Sequence, residues 1–555
     1  MTTDSAGVAD FTTHEVFNQP PPLVDYNLFK SDRALVEAVA REDGGWAAEP
    51  LANFGRRLGS AETIDWGFQA NRASPVLQTH DRFGRRRDIV EFHPAWHQLM
   101  TLAVGEGLHT GPWAAPRPGA HVARAAQVYM QAQIEAGVQC PLTMTYGVVP
   151  TLRHQPEIAR DWLPLLYSRR YDPRFLPAIE KTGVLMGMGM TEKQGGSDLR
   201  SNSTRATPEG AGGPGAAYRL VGHKWFFSAP MCDAFLVLAQ APKGLSCFFL
   251  PRWTPDGAVN AIRLQRLKDK LGNRSNASSE VEFQGAEAWL IGDEGRGIPT
   301  IIEMATYTRL DCALGSAGQM RQAAAQAIHH AEHRTAFQRR LVDQPLMTAV
   351  LADLALEAEA AMVLALRLAR AFDRQDDESE SAFRRLMTPA AKYWICKRGI
   401  VLAGEAMEVL GGSGYVEESI MPRLYREMPV NSIWEGSGNV MCLDVLRALT
   451  RSPEAAAALS DELAPARGAD PRLDAALARL DAALAARPDE SAARRLTQML
   501  VTAVQGALLT RFAPPAVADA FCASRLGAEP MAAFGTLPAG LDLAAIVARA
   551  APVTA

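Results

Sequence analysis

Between residues 181 and 295 the chain changes texture, and that change constrains the fold more than any other feature. Tyr218-Arg219-Leu220-Val221, Phe235-Leu236-Val237-Leu238, Cys247-Phe248-Phe249-Leu250 and Glu280-Val281-Glu282-Phe283 are short β-type runs separated by Gly, Pro and Asn. The pattern on both sides is helical. Residues 51–180 carry helical signals such as the breaker-poor run Ala120 to Ala136, with Gly137 placed to end it. Residues 296–448 return to long helical stretches, clearest over Gln319 to His333 and Val350 to Asp373. Residues 1–50, centred on Pro20-Pro21-Pro22, read as an extended arm and a candidate intersubunit strap. Residues 449–555 are Ala-rich and helical in pattern. The expectation is a mostly α protein with a small central β domain and, at 555 residues, several domains around sizeable cores.

Three runs carry the chemistry. Ile433-Trp434-Glu435-Gly436-Ser437-Gly438-Asn439 places one acid on a glycine-rich turn between two helical patterns. A carboxylate held there can be aimed at one atom, as a general base must be, although an acid in such a run can equally be an ordinary turn residue. Gly187 to Asp198 reads GMGMTEKQGGSD, a hydroxyl- and glycine-rich loop after the apolar run Val184-Leu185-Met186. Its N–H groups and short hydroxyls suit an electron-rich ring or a phosphate. Gly222-His223-Lys224-Trp225-Phe226-Phe227-Ser228 could wall a flat cofactor, or could be a strand with a packed aromatic face.

Charge and cysteine usage set the surroundings. A net charge of −4 gives no global attraction to nucleic acid, so any DNA contact needs a local basic patch. The seven cysteines include no CxxC pair and read as thiols in a reducing compartment. The N-terminus lacks a basic region followed by an apolar core, and no apolar run approaches the roughly 18–20 residues of a membrane span, so a cytoplasmic protein is expected. No metal site is expected. His93 and His97 have i, i+4 spacing but lack the Glu of H-E-x-x-H, which favours a packed or capping role. His329, His330 and His333 read as surface or interface residues of a helix.

Taken in order, the three runs resemble the acyl-CoA dehydrogenase flavoprotein family. Leu267 to Ser275, Glu408 to Tyr415 and Arg423 to Glu427 extend that resemblance over roughly residues 125–450. His14 to Pro20, Met190 to Asp198 and Met428 to Asn439 resemble the family branch of the bacterial adaptive response to DNA alkylation. The resemblance implies the acyl-CoA dehydrogenase fold, with a small central β-barrel at 181–295 between helical domains at 51–180 and 296–448. It adds a C-terminal helical domain at 449–555 as a possible DNA-binding unit.

It also implies FAD as cofactor and Glu435 as the catalytic base. The base of isovaleryl-type members falls here on Thr308, before Arg309, and a threonine cannot take that role. Met188, Met190, Thr191, Gly196 and Ser197 match the loop that binds the flavin ring and pyrophosphate. Phe226, Phe227 and Ser228 match the ring-stacking and N5-contacting segment, and Trp434, Gly436, Ser437 and Asn439 match the segment beside ring and adenosine. Arg334, Phe337, Gly411 and Gly412 match residues that hold FAD across a subunit interface, which implies an oligomer, expected to be a homotetramer. Three positions depart from the family pattern: Gln338 stands for Gly, Arg340 for Pro and Glu408 for Gln.

Three functions follow. One is an FAD protein of the alkylation response that binds duplex DNA and has weak dehydrogenase activity. Another is an ordinary dehydrogenase of a short or branched acyl-CoA. The third is a non-catalytic protein that keeps FAD as a structural part and shields DNA. The last hundred residues sit uneasily with DNA contact, because ten arginines and no lysine face eleven acids there. Arg494-Arg495 is the only tight basic pair and can equally be a solvated helix face.

Overall fold

A computed structural model describes residues 13–487, 489–528 and 532–553. A two-stranded hairpin, β1 (Val76–His80) and β2 (Arg86–Glu91), interrupts the first helical region. The β domain follows with β3 (Met186–Gly189), β4 (Arg205–Pro208), β5 (Ala217–Ser228), β6 (Ala234–Ala241), β7 (Gly244–Pro251), β8 (Ile262–Leu267) and β9 (Ser278–Ile291). Strands β4, β5, β9, β7 and β6 pair in a closed ring, so the domain is a small five-stranded barrel. Strand β3 adds in parallel to β6, and β8 adds to β9. The four β-type runs of the sequence all lie in this domain; β4 and β8 had no such signal.

The course of β5 decides which aromatic faces where. Tyr218 and Leu220 point into the barrel, as period-2 alternation requires. The register against β9 then shifts between Leu220 and Val221, where Gly285 of β9 is the extra residue. Gly222 has φ +154°, and a Cβ there would lie 2.5 Å from the Thr204 hydroxyl oxygen, so only glycine fits where β5 passes Thr204. A second shift falls between Lys224 and Phe227. Its result is that Phe226 faces outward while Phe227 is fully buried against Phe235, with ring centroids 4.2 Å apart.

The helical layers are built around Gly297–His333, a helix of 37 residues with almost every side buried. Helices Ala120–Ile134, Gln139–Leu152, Pro345–Asp373 and Glu378–Val409 pack on it. Gly318 permits the approach of the first of these, since a Cβ there would strike the Tyr129 carbonyl oxygen at 2.2 Å. The extended arm is shorter than the sequence suggests. It ends at Asp32, whose side chain caps helix Arg33–Val39 by accepting from the Leu35 N–H, and Tyr26, Leu28 and Phe29 are already buried.

The residues after 449 form further helices, among them Pro453–Leu463, Pro471–Ala485 and Ala493–Phe512. Leu473, Leu500 and Leu508 share one continuous core with Leu354 and Leu364. Arg525 lies between Asp353 and Glu357, and Arg549 between Glu37 and Glu359, which pins the C-terminal region to the helical domain. No helix among the described residues is long and apolar enough to cross a membrane.

Candidate active site

Glu435 sits on a turn held by cations from two helices. Its φ is +58°, and Gly436 follows at +109°. For a non-glycine residue the left-handed region costs about 1–3 kcal/mol and persists only where the surroundings enforce it. Here the enforcement is visible. The Lys392 ammonium donates to the Trp434 carbonyl at 2.6 Å and also to the Gly436 carbonyl. Arg309 Nε donates to the Glu435 carbonyl at 2.9 Å, and Arg309 is itself held by Asp444 at 3.0 Å. Three successive carbonyls are thus bound by positive charge, while the Glu435 N–H has no acceptor among the described residues.

The carboxylate is met from the neighbouring residue of the same helix. Thr308 Oγ1 donates to Glu435 Oε2 at 2.6 Å. Burial pushes the Glu435 carboxyl above the ordinary carboxylate range, opposed by the Thr308 hydroxyl and by the charges of Arg309 and Lys392. A carboxylate desolvated, aimed and raised in pKa is suited to accept a proton near neutral pH.

The glycine-rich loop is anchored by a buried ion pair. Lys224 Nζ lies 2.7 Å from Glu192 Oε1, and both side chains are excluded from solvent. The same carboxylate accepts from the Ser203 N–H at 2.6 Å and the Thr204 N–H at 3.1 Å, and Lys224 also donates to the Leu238 carbonyl. These donors outweigh burial and hold Glu192 ionised well below the usual carboxylate range. Glu192 therefore fixes the loop and is not offered to a ligand. The loop presents other groups. The Thr191 and Ser197 hydroxyls and the Gly196 and Ser197 N–H groups have no hydrogen bond within the described chain.

On β5, Phe226 is half exposed and able to stack on a flat ring, whereas Phe227 is a barrel-core residue. Its side chain is buried, so of the two rings only Phe226 is open to a ligand. Ser228 Oγ lies 3.2 Å from Ser278 Oγ, which accepts from Lys270 Nζ at 3.1 Å. Burial pushes the Lys270 ammonium down to about 8. Lys270, Lys392, Arg309 and the hydroxyl of Thr308 belong to this site; sequence reasoning named Thr308 and Arg309 only as the alternative base position and did not single out Lys392. Thr308, Arg309 and Lys392 share one signal, a polar or charged residue within a long and largely buried helix.

Arg334, Phe337, Gly411 and Gly412 stand apart from this cluster at the surface. Phe337 is 92% exposed, and nothing lies within 4 Å of where a Cβ on Gly411 or Gly412 would sit. Arg334 donates to the Asn18 carbonyl, and Asn18 brackets Thr335 with two bonds of 2.7 Å, so the N-terminal arm is stapled at this corner. Gln338 adopts φ +65°, the conformation that the family's glycine would take at no cost. Glu408 is solvent-exposed and Arg340 is paired with Asp343 at 2.8 Å. Asn439 accepts from Arg494 at 2.8 Å, so that arginine is tied to the Glu435 turn and is not part of a free basic face.

His93 caps helix Pro94–Gly105 through the Ala95 N–H, a capping role of the kind its spacing suggested. His329 and His330 are buried, not surface residues; only His333 is exposed. The cause is the alanine-rich long helix, which packs on nearly all sides.

The residues fit a flavin on the observations above: unbonded hydroxyls on Thr191, Ser197 and Ser437, unbonded N–H groups on the glycine-rich loop, and an outward aromatic ring on the strand beside them. Comparison with known proteins agrees. The chain matches the family model of the adaptive response protein AidB N-terminal domain over residues 18–173. It matches the acyl-CoA dehydrogenase middle domain over 187–286 and C-terminal domain over 295–450. It is 53% identical to the putative acyl-CoA dehydrogenase AidB of Escherichia coli over 92% of this chain and 94% of that one. It is 30% identical to acyl-CoA dehydrogenase family member 11 of Caenorhabditis elegans over 89% of this chain and 81% of that one. The crystal structure of Caenorhabditis elegans ACDH-11 in complex with C11-CoA superposes with a TM-score of 0.85 at 28% identity, covering 95% of this chain and 96% of that one. An acyl-CoA dehydrogenase from Bacillus anthracis complexed with FAD shares the fold at a TM-score of 0.62 and 19% identity, over 77% of this chain and 80% of that one.

Proposed function

The chain belongs to the acyl-CoA dehydrogenase family, in its AidB branch, and from that premise we propose that it is an FAD-dependent dehydrogenase of acyl-CoA thioesters with Glu435 as base. The single observation that carries the reading is the Glu435 turn: a desolvated carboxylate beside an N–H with no protein acceptor. The carboxylate would take the α-proton of the thioester. The Glu435 N–H is free to donate to the thioester carbonyl, where the α-carbanion charge gathers. Bound FAD supplies the acceptor for the β-hydride. Phe226, Thr191, Gly196, Ser197 and Ser228 would orient the flavin, and Trp434, Gly436 and Ser437 would line the turn beside it.

Anaerobic mixing of the yellow protein with an acyl-CoA panel tests this. At least one thioester should bleach the flavin, and Glu435→Gln should slow the bleaching by about 10²–10⁴-fold while retaining FAD. Failure of every thioester to reduce the flavin would overturn the reading.

Exposed Phe337, Leu346 and Tyr415, together with the open space at Gly411 and Gly412, support an assembly in which a second subunit completes the cofactor site, and we put it at a homotetramer. Seven free cysteines, all buried, support the cytoplasm as its location.

A second reading adds duplex-DNA binding in an adaptive response to alkylation, supported by the match of residues 18–173 to the adaptive response protein model. The C-terminal arginines narrow where phosphate could bind. Arg467, Arg472, Arg511, Arg525 and Arg549 are spent on internal carboxylates. Arg451, Arg487 and Arg495 carry no ion pair among the described residues. Duplex binding that falls steeply with salt and weakens in the triple alanine variant of those three supports this reading; no binding at low salt refutes it.

A further inference from the structure

The last turn of the helix Gly297–His333 brings together three ligand-type side chains that no part of the dehydrogenase chemistry uses. His329, Glu332 and His333 each offer one ligand atom, and these atoms lie within 4.8 Å of one another. The spacing is H-x-x-E-H, which puts both imidazoles and the carboxylate on adjoining helix positions. The two imidazole rings stand 4.4 Å apart, centroid to centroid.

Both rings already have the outer contacts of metal ligands. His329 Nε2 lies 2.8 Å from the Pro21 carbonyl oxygen. His333 Nδ1 lies 2.9 Å from the His329 carbonyl oxygen. A carbonyl oxygen only accepts, so each of these nitrogens carries the proton. The other nitrogen of each ring keeps its lone pair, the form in which a histidine ligates. The Glu332 carboxylate is half-buried and has neither a hydrogen bond nor an ion pair among the described residues. The nearby guanidinium of Arg340 is already bonded to Asp343. The cluster also lies at a helix C-terminus, where the unbonded carbonyls favour a cation.

We propose that His329, Glu332 and His333 form a binding site for a divalent transition metal of the zinc class. Two imidazoles and one carboxylate are a donor set of that class, and exposed His333 leaves the remaining position to water. Because His329 is bonded to Pro21, a metal here would tie the end of the long helix to the N-terminal arm.

The test uses full-length, tag-free holoprotein stripped with a chelator and titrated calorimetrically with Zn²⁺. The expected result is one equivalent per chain, with affinity reduced about 10-fold or more in Glu332→Gln and in His333→Ala, given that even second-shell losses cost 10–100-fold. Both positions are at least partly exposed, so both variants should melt like the wild type in the absence of metal. Cobalt substitution should give a visible d–d band in the wild type that both variants lose. No stoichiometric uptake, or uptake with wild-type affinity in the two variants, overturns the proposal. Flavin reduction by acyl-CoA is measured on the same samples. Retained reduction with no zinc uptake would refute this site alone and leave the dehydrogenase reading standing.

Discussion

Thr308 donates its hydroxyl hydrogen to Glu435 at 2.6 Å, across 127 residues of chain. The family's alternative base position and its usual one are therefore in direct contact, and the threonine acts on the carboxylate proposed as the base. This bond favours the ionised form. Thr308→Val removes it without changing the volume much. The expected outcome is a further rise of the Glu435 pKa, read as a shift of the flavin-reduction pH profile to higher pH. Glu435→Gln should lower the rate by about 10²–10⁴-fold.

The same carboxyl makes a prediction about stability. Its pKa in the folded protein lies above the ordinary value of 4.5. The folded state then keeps a proton that the unfolded state has lost in the window just above that value, so stability falls as pH rises through it. Glu435→Gln cannot ionise. It should melt at a higher temperature than wild type at neutral pH, and the difference should shrink toward pH 4. Equal melting temperatures across the range would refute this.

The Glu192–Lys224 pair should be far more costly to halve than its surface counterparts. Both side chains are fully buried. Lys224→Met leaves a buried carboxylate with only neutral donors, the Ser203 and Thr204 N–H groups and the Ser203 and Gln194 side chains. A loss of about 3–5 kcal/mol is expected from chemical denaturation, together with weaker FAD retention, because the loop that carries Thr191 and Ser197 loses its anchor.

Lys392→Met should damage the site without touching the reacting atoms. The carbonyls of Trp434 and Gly436 lose a charged donor, at a cost of about 2–4 kcal/mol. The strained φ of Glu435 then loses its constraint. Flavin reduction is expected to slow by about 10²-fold, as for a misplacement near 1 Å, with the main effect on kcat. An unchanged rate in a folded variant would show that the turn holds itself.

The layer order could be read from the sequence because barrel strands and long helices have different periods, and Glu435 because its flanking glycines mark a turn. The partners of Glu435 could not. Thr308, Arg309 and Lys392 come from helices more than forty residues away, and local pattern does not register such distances. The face on which each β5 aromatic lies was hidden for a different reason. One extra residue in β5, between Lys224 and Phe227, breaks the alternation that assigns faces, so the exposed ring is Phe226. His329 and His330 were misjudged because the long helix is alanine-rich and buried nearly all round, and a uniform helix has no polar face from which to read orientation.

A helix of 37 residues is a beam roughly 55 Å long. Thr308 sits about 37 Å from the end at which His329 and Arg334 grip the N-terminal arm. One continuous element thus carries both the hydroxyl that meets the Glu435 carboxylate and the imidazole that holds the Pro21 carbonyl of the arm.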